Sequence, residues 1–243
     1  MLATKALLSS QGRYKGALFD GATTSINLSS GGSTISTSTL VWSWWMRVDT
    51  VGATQALFSR SGSQGLQVRI DTTGDLEFNF TNAGGTKVVD RATSGTAFDD
   101  NTWHHILLQY SSVGPVFRLY IDDVSTGTSG TTNSDTISIP DLIIGTNPSS
   151  LFYAGSLAEV WIGTYTGLDI SNSSDRQKFI VNSSIPANLG SDGSTPYSTQ
   201  PPLYFSRLSA SAPNTFATNK GSNGVYALTG TLTDPGARVK VGL

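Results

Sequence analysis

Short runs of alternating hydrophobic and polar residues recur up to about residue 168, separated by glycine-rich turns. A period of two is typical of β-strands that bury one face, and almost no segment shows the period of a helix. The runs predict strands at Ala17–Leu28, Leu40–Val48, Gln55–Phe58, Leu66–Ile70, Leu76–Phe80, Trp103–Tyr110, Val116–Asp122, Ile137–Ile144 and Ser156–Ile162. So many short strands at close spacing predict an all-β sandwich or barrel.

One predicted turn has enough detail for its chemistry to be assigned. The segment Ile70–Asp75 predicts a hairpin, in which the Asp71 carboxylate caps the backbone and Gly74 supplies a positive φ. The two strands that it joins place six apolar side chains on one face, those of Leu66, Val68, Ile70, Leu76, Phe78 and Phe80. This hairpin is therefore expected to contribute to the core.

The pattern changes after about residue 168. Ser173–Ile180 predicts a short helix with Ser173 as its N-cap, and Asn188–Gln200 is a loop rich in Gly, Ser and Pro. Three further strands are predicted, at Leu203–Arg207, at Gly224–Leu228 and from Leu232 onwards. Because this tail holds too few apolar residues for a core of its own, we divide the chain into a sandwich over residues 1–168 and a C-terminal extension over residues 169–243 that packs on the same sandwich.

Composition narrows the classes of function. The chain has 243 residues, 13% of them charged, with a formal net charge of −2 and no cysteine. This low and nearly neutral charge argues against nucleic acid as a partner, because phosphate binding needs clustered Lys and Arg. We expect no membrane insertion, since no apolar run approaches the ~20 residues that span a bilayer. The segment Met1–Ser10 is too short and too polar after Leu8 for a signal peptide.

Three segments, in this order, resemble the concanavalin A-like sandwich in its laminin G-like and pentraxin-like branch. The first is Leu18–Leu28, similar to the opening strand of the family with its Phe-Asp-Gly start. The second is Asn101–Tyr110 followed by Phe117–Asp123, and the third is Gly155–Ile162. The resemblance covers about residues 15–165 and implies an antiparallel two-sheet jelly-roll sandwich.

The tail carries a second, narrower resemblance. Four stretches are similar to an extension of laminin G-like proteins that bacteriophages encode, namely Arg176–Ile180, Pro186–Pro196, Pro201–Phe205 and Phe216–Gly224. The resemblance implies a phage structural protein that is located in the virion and assembled in the host cytoplasm. Its partners would be other virion proteins, and we expect it to form a symmetric homo-oligomer.

Strand alternation brings aromatic and polar side chains together on the outer face of one sheet. The candidate carbohydrate-binding residues are Trp45, Arg47, Arg118, Tyr120, Glu159 and Trp161. Rings stack on the faces of sugars and polar groups bind their hydroxyls, which favours sugar recognition here. In the third segment the family pattern leaves Leu157 on this face and buries Ala158, Val160 and Ile162. The alternative is that the extension or a neighbouring subunit covers these aromatic side chains.

The same fold hosts retaining glucanases, so hydrolysis has to be considered. Those enzymes need two paired carboxylates, which the family carries as Glu-x-Asp-x-Glu on one strand. The only glutamates here, Glu77 and Glu159, lie in no such motif. The only histidines, His104 and His105, are neighbours on a strand, so they point to opposite faces and cannot bind one metal together. We therefore expect no catalytic residues and no enzymatic activity.

The resemblance makes calcium a candidate ligand, because members of the laminin G-like and pentraxin-like branch often bind it. Carboxylate oxygens suit Ca²⁺, and the candidate ligands are Asp122 and Asp123, with Asp123 where the family usually has glycine. The same pair also suits a hairpin turn. Ala158 stands where the family has an aspartate. We therefore expect no cofactor, with calcium as the alternative.

Three hypotheses for the function remain. The first is a non-enzymatic structural protein of a phage virion, as a capsid decoration, head fibre or tail component, with a capacity to bind host-surface glycans. The second is a carbohydrate-binding module or adhesin outside a virion. The third is a glucanase-type glycoside hydrolase. The resemblance of the tail and the missing carboxylate motif favour the first hypothesis.

Overall fold

The computed structural model describes residues 15–60, 65–95, 98, 101–207 and 211–236. The predicted absence of a signal peptide concerns Met1–Ser10, which lies outside the described residues. The described strands, in chain order, are β1 (Ala17–Asp20), β2 (Ser25–Ser30), β3 (Ile35–Thr37), β4 (Thr39–Val48), β5 (Gln55–Arg60), β6 (Gln67–Ile70), β7 (Leu76–Thr81), β8 (Lys87–Ala92), β9 (His104–Ser111), β10 (Val116–Ile121), β11 (Val124–Ser125), β12 (Ser129–Thr132), β13 (Ile137–Ile139), β14 (Leu142–Ile144), β15 (Ala154–Gly163), β16 (Ile180–Val181), β17 (Ile185–Pro186), β18 (Leu203–Phe205) and β19 (Val225–Thr229).

Two antiparallel sheets account for most of these strands. A seven-stranded sheet has the order β1-β15-β4-β9-β10-β11, and β18 pairs with the second half of β15. An eight-stranded sheet has the order β12-β8-β7-β6-β5-β14-β2-β19. Two small ribbons, β3 with β13 and β16 with β17, complete the described pairing. The predicted all-β, two-sheet antiparallel sandwich is confirmed.

Aromatic side chains from both sheets meet in the core between them. Trp42 and Trp44 of β4 pack against Phe58 of β5, with ring centroids 4.7 and 5.3 Å apart. Phe78 of β7 meets Phe117 of β10 at 5.3 Å. Complete burial of one phenylalanine stabilises a fold by about 1.5–3 kcal/mol, so this aromatic layer contributes strongly to holding the two sheets together.

The hairpin predicted at Ile70–Asp75 is confirmed between β6 and β7. The Asp71 carboxylate accepts hydrogen bonds from the backbone N–H groups of Thr73 and Asp75, at 2.8 and 2.9 Å. Gly74 has a φ of +91°. All six apolar side chains assigned to this hairpin are buried in the core.

Two predicted strands are each divided in two. Ala17–Leu28 contains β1 and β2, because the Asp20 carboxylate accepts three backbone N–H groups in a turn between them, those of Ala22, Thr23 and Thr24. Ile137–Ile144 contains β13 and β14, which belong to different sheets. Pro140 lies between these two strands and has no backbone N–H to continue a ladder.

The alternating pattern does not predict β8 or β12. Strand β8 reads Lys-Val-Val-Asp-Arg-Ala and does not alternate strictly, while β12 reads Ser-Gly-Thr-Thr and contains no apolar residue. Both form by pairing with neighbours that extend the eight-stranded sheet beyond β7. The strand predicted from Leu232 onwards is wrong within the described residues, where Thr233 makes a single bridge to Leu18.

A β-bulge in β15 overturns part of the predicted alternation. The register against β4 shifts after Ala158, and Glu159 adopts a φ of +47°. Before the bulge Leu157 packs in the core between the sheets, whereas Ala158 packs beside Trp45 on the outer face. The predicted sides of Leu157 and Ala158 are wrong because the extra residue of a bulge shifts the alternation by one position. Beyond the bulge the predicted sides are correct.

The helix predicted at Ser173–Ile180 is one turn long, α1 (Ser173–Arg176). Its N-cap is Asn172 rather than Ser173, and it ends early because β16 begins at Ile180. A 3₁₀ turn follows at Pro213–Ala217. Within the described residues, no helix is long and apolar enough to cross a bilayer.

Residues 169–236, here called the C-terminal segment, add one strand to each sheet. Strand β18 pairs with β15, and β19 pairs with β2. Phe205 and Tyr226 from these two strands meet in the core with ring centroids 5.0 Å apart. Other residues of the segment lie on the outer face of the seven-stranded sheet. The division of the chain at residue 168 stays a prediction.

Candidate functional site

A polar groove lies on the outer face of the eight-stranded sheet, over β6, β7, β8 and β12. We call it the sheet groove. Its volume is about 560 Å³, within the range of about 300–1,000 Å³ that is usual for ligand sites. The inner sides of the same strands carry Val68, Phe78 and Val89, which are buried in the core. The sheet groove is therefore built from the outward-facing positions of strands whose other face is fixed by packing.

Strand register aligns the groove side chains in two rows that cross the four strands. The first row contains Arg69, Glu77, Ala92 and Ser129. The second row contains Gln67, Asn79, Asp90 and Thr131. Neighbouring strands lie about 4.8 Å apart, so each row spans about 14 Å. The backbone ladder, rather than a flexible loop, sets the spacing of these polar groups.

Two ion pairs hold charged side chains of the groove in place. The Arg69 Nε–H donates to the Glu77 carboxylate, and the Lys87 ammonium lies 2.7 Å from the Asp90 carboxylate. All four side chains keep substantial solvent exposure, so these pairs contribute only modestly to the stability of the fold. Their main effect is to reduce the rotamer freedom of the side chains that line the groove.

Strand β12 closes one side of the groove by fitting tightly against β8. Gly130 has a φ of +116°, and a Cβ atom at this position would lie 2.0 Å from the Asp90 carbonyl oxygen. The Arg91 guanidinium donates to Thr132 Oγ1 at 2.9 Å and to the Thr128 carbonyl at 3.4 Å. Glycine is therefore required where β12 approaches β8.

The groups in the groove are suited to hydrogen bonding with hydroxyl-rich molecules. Amide and hydroxyl side chains both donate and accept hydrogen bonds. The two carboxylates of the groove, on Glu77 and Asp90, each bind a cation. No group of three or more potential metal ligands occurs in the part of the chain that the structure describes.

Residues 20–166 match the protein family described as the concanavalin A-like lectin/glucanases superfamily, which is more than half of the chain. The chain belongs to this superfamily. The groove therefore lies on a sheet face of a fold shared by lectins and glucanases. No curated protein matches the sequence of this concanavalin A-like chain.

Solved structures share the concanavalin A-like fold at low sequence identity. A "putative carbohydrate binding protein" from Bacteroides ovatus ATCC 8483 is 15% identical with a TM-score of 0.61, over 94% of this chain and 62% of that one. A SAP-like pentraxin from Limulus polyphemus is 13% identical with a TM-score of 0.47, over 63% and 76%. Domains LG4-5 of the mouse laminin α1 chain are 18% identical with a TM-score of 0.47, over 66% and 44%. This chain thus spans under two thirds of the Bacteroides protein, and the likeness shows the fold alone.

Three of the six predicted sugar-binding residues are in the interior. Trp45, Glu159 and Trp161 are exposed by 1%, 1% and 0%. Phe179 of the C-terminal segment packs on Trp161 with ring centroids 5.0 Å apart, and Ile180 packs beside Trp45. A sugar cannot reach these side chains in this structure. On this face the C-terminal segment covers the aromatic side chains, which is the alternative that the sequence left open.

The other three predicted residues are half-buried and bind protein groups. Arg47 pairs with an aspartate two residues along the chain at 3.1 Å and donates to a C-terminal carbonyl at 3.2 Å. Arg118 donates to Gln109 Oε1 at 3.3 Å. Tyr120 lies beneath the Arg176 guanidinium, 4.3 Å from its ring centroid. The C-terminal segment therefore also engages the margin of the predicted site, and a role for these three residues in sugar binding stays a prediction.

The Glu159 carboxyl group is buried, which is unusual for this group. Its Oε2 accepts a hydrogen bond from the Tyr204 hydroxyl at 2.7 Å, and its Oε1 has no hydrogen-bond partner. Burial raises the pKa of Glu159 to about 8, against the lowering effects of Tyr204 and of the Lys220 charge. The side chain therefore holds a proton at neutral pH and serves as a contact between β15 and the C-terminal segment.

The candidate calcium ligands lie in the turn between β10 and β11. Asp122 and Asp123 have φ values of +51° and +66°, as both central residues of a type I′ hairpin do. Asp122 accepts hydrogen bonds from the His104 ring and from the His105 backbone N–H, both at 2.7 Å. Asp123 pairs with Arg176. Both carboxylates thus bind protein donors in this structure.

The two histidines point to opposite faces of β9, as predicted. His104 packs against Phe98, with centroids 5.1 Å apart, while His105 packs against Trp45 on the outer side at 5.0 Å. Ser43 Oγ and His105 Nε2 are 2.9 Å apart. Burial lowers the pKa of His105 to about 4, so its ring is neutral at physiological pH.

Sequence reasoning misses the sheet groove, although part of its signal is present. The predicted hairpin with a buried face at Val68 and Phe78 also implies an outward row at Gln67, Arg69 and Glu77. The other half of each row comes from β8 and β12, which the alternating pattern does not predict. The groove is visible only once those two strands are paired.

Proposed function

We propose that this protein is a carbohydrate-binding module and that the sheet groove is its binding site. The observation that carries the proposal is the alignment of two rows of polar side chains across β6, β7, β8 and β12. Sugars present many hydroxyls along an extended surface, and a row of fixed donors and acceptors complements them. Membership in a lectin and glucanase superfamily supports the same function.

Binding of soluble glycans tests this proposal. A glycan array identifies ligands, and calorimetry then compares the native protein with an Asn79→Ala variant. Loss of one hydrogen-bonding side chain in the groove is expected to weaken binding by up to about tenfold. The matched control is Asn172→Ala, because Asn172 is exposed and makes no capping hydrogen bond. Absence of binding to any glycan, or equal affinities of the two variants, would contradict the proposal.

A phage structural protein is the second candidate function. It is supported by the resemblance of Arg176–Ile180, Pro186–Pro196, Pro201–Phe205 and Phe216–Gly224 to an extension of phage-encoded laminin G-like proteins. The two functions are compatible, because a virion surface protein can bind host glycans. The family and the groove favour carbohydrate binding, the second hypothesis drawn from the sequence, over the first.

The virion hypothesis has a direct test. If it is correct, the chain is present in purified particles and its density is found in a particle map as a symmetric oligomer. Recovery of the chain only as a free protein, with no particle in the same preparation, would contradict it. Neither result changes the expected behaviour of the Asn79→Ala variant.

A further inference from the structure

We infer that the ligand of the sheet groove is a neutral oligosaccharide rather than an acidic or sulfated glycan. The inference rests on the proposed function and names its class of ligand. It follows from the charges, hydrogen-bonding groups and shape of the groove.

The charged side chains of the groove form pairs with one another. Arg69 pairs with Glu77 across β6 and β7, and Lys87 pairs with Asp90 within β8. Each cation of these pairs therefore already has a carboxylate partner inside the groove. Arg91 also borders the groove, but it is paired with the buried Phe78 in the register, and its guanidinium donates to Thr132 Oγ1 and the Thr128 carbonyl. A sulfate or uronate group entering here would have to displace a carboxylate or lie beside one, and like charges repel. The arrangement disfavours a polyanion.

Uncharged polar side chains line the centre and the far side of the groove. Gln67 and Asn79 face each other across β6 and β7, and Ser129 and Thr131 project from β12. Each of these side chains both donates and accepts hydrogen bonds, as a sugar hydroxyl does. A sulfate or carboxylate only accepts, so it would leave the acceptor atoms of these side chains without donors.

The shape of the groove depends on a short side chain in its first row. Ala92 lies between Glu77 and Ser129 in the first row, so the shortest side chain of that row stands between two longer ones. Its methyl group forms an apolar floor between polar walls. The apolar face of a hexose ring fits such a floor, while its hydroxyls reach the polar groups on either side. We therefore expect Ala92 to be the position at which a larger side chain blocks binding.

The rows of the groove are longer than one sugar ring. A row crosses four strands at about 4.8 Å spacing, or about 14 Å in all, which exceeds one sugar ring. The ligand is therefore an oligosaccharide laid across the strands, and single sugars should bind much more weakly than oligomers of the same sugar.

Direct titrations test the inference. Maltohexaose, cellohexaose and mannohexaose represent neutral ligands, and hexagalacturonic acid and a heparin hexasaccharide represent anionic ones. We expect a neutral oligosaccharide to bind with an affinity that changes less than twofold between about 0.05 and 0.5 M NaCl, because screening acts on charges. We expect the anionic oligosaccharides to bind at least about tenfold more weakly than the neutral one.

Two variants locate the ligand. Ala92→Trp is expected to reduce affinity by at least about tenfold by filling the floor, while Ala53→Trp, at an exposed alanine between β4 and β5, should leave affinity unchanged. Circular dichroism checks that both variants fold. Asn79→Lys adds a cation opposite Asp90 and so gives the two ion pairs of the groove a net positive charge. This variant should lose the neutral ligand and gain salt-sensitive heparin binding. It therefore still tests the inference if Ala92→Trp fails to fold.

The outcomes distinguish a failure of the inference from a failure of the proposed function on which it rests. If only anionic glycans bind, and salt weakens their binding, the proposed carbohydrate binding is supported and the inference of a neutral ligand is overturned. If a neutral glycan binds but Ala92→Trp and Asn79→Lys both leave its affinity unchanged, the sheet groove is not the site. If no glycan binds at all, the proposed function itself fails.

Discussion

The two sheets of this sandwich have outer faces of opposite character. The outer face of the seven-stranded sheet carries Trp45 and Trp161 and is covered by the C-terminal segment. The outer face of the eight-stranded sheet carries amides, hydroxyls and ion pairs, and it stays open over β6, β7, β8 and β12. Covering the aromatic face removes a large apolar area from water, at about 25 cal/mol per Å², whereas covering the polar face would gain little. The aromatic face is therefore buried in hydrophobic clusters of its own, and the polar face is the one available to a ligand.

Specific hydrogen bonds hold the cover on the aromatic face. The Trp161 Nε1–H donates to the Gly193 carbonyl at 2.8 Å. Gln109 Nε2 donates to the Leu168 carbonyl at 2.6 Å, and Tyr204 donates to Glu159 at 2.7 Å. Each bond joins β9 or β15 to residues that follow β15 in the chain. The cover is thus a defined part of the fold, and residue type alone is a poor guide to which face binds sugar.

The largest expected effect comes from breaking the covered face. Trp161→Ala removes a fully buried ring and its hydrogen bond, so we expect the free energy of unfolding to fall by about 3–5 kcal/mol. Urea denaturation measures this change. The control is Val124→Ala at a side chain that is 66% exposed, which should change stability by less than about 0.5 kcal/mol. A stable Trp161→Ala protein that has lost glycan binding would instead assign sugar recognition to this face.

Changing pH tests the contact between Glu159 and the cover. The pKa of Glu159 is raised from 4.5 to about 8 in the folded protein. Between these two pH values the folded state therefore holds a proton that the unfolded chain releases. Its contribution to stability is therefore lost as pH rises, by up to about 1.4 kcal/mol per pH unit.

The Glu159→Gln variant isolates this titration. It retains a hydrogen-bond acceptor for Tyr204 but has no proton to lose, so we expect its stability to fall less between pH 5 and pH 8 than that of the native protein. Urea midpoints at several pH values measure the difference. Asn172→Ala, at an exposed side chain that does not titrate, should keep the native pH dependence. A constant difference between native and Glu159→Gln proteins across the range would contradict the assignment.

Displacing β12 tests whether the open face needs its exact strand pairing. Gly130→Ala places a Cβ against the Asp90 carbonyl and imposes a φ that L-residues rarely adopt. We expect it to cost about 1–3 kcal/mol and to weaken glycan binding, because Ser129 and Thr131 move with the strand. Gly127→Ala is the control, since no atom lies within 4 Å of its Cβ position. Equal stability and affinity of the two variants would show that the pairing is not needed.

The smallest expected effect on stability concerns the ion pair between Arg69 and Glu77. Their side chains are 34% and 26% exposed, so a double-mutant cycle with Arg69→Met and Glu77→Gln should give a coupling of about 0.2–1 kcal/mol. The same variants should weaken glycan binding more than they weaken the fold. A coupling in stability above about 2 kcal/mol, with unchanged affinity, would make this pair a structural element rather than part of a binding site.

Much of the fold follows from local sequence. The hairpin at Ile70–Asp75 is predictable because its turn chemistry and its alternation are both local. The bulge at Glu159 is not predictable, because no feature of Ser156–Ile162 marks the extra residue. Strand β12 is likewise missed, since it contains no apolar side chain and forms only by pairing with β8.

The candidate site was predictable only in part. Gln67 and Arg69 lie opposite buried residues of an evident hairpin, so their exposure follows from the period of two. Their alignment with Asp90 and Thr131 depends on strands that come later in the chain and on their register. The sequence pattern selects aromatic residues as a sugar platform, but it cannot show that residues 168–204 return to cover them.

The sequence by itself determines the all-β class, the two-sheet sandwich, the family and the absence of a glucanase carboxylate motif. These properties depend on side-chain periodicity, turn residues and local motifs. Tertiary structure alone decides which sheet face is covered and which is open, because that depends on where the C-terminal segment packs. The physical reason is that burial is a property of contacts between distant segments, and the apolar area of Trp45 and Trp161 leaves water only when those segments meet.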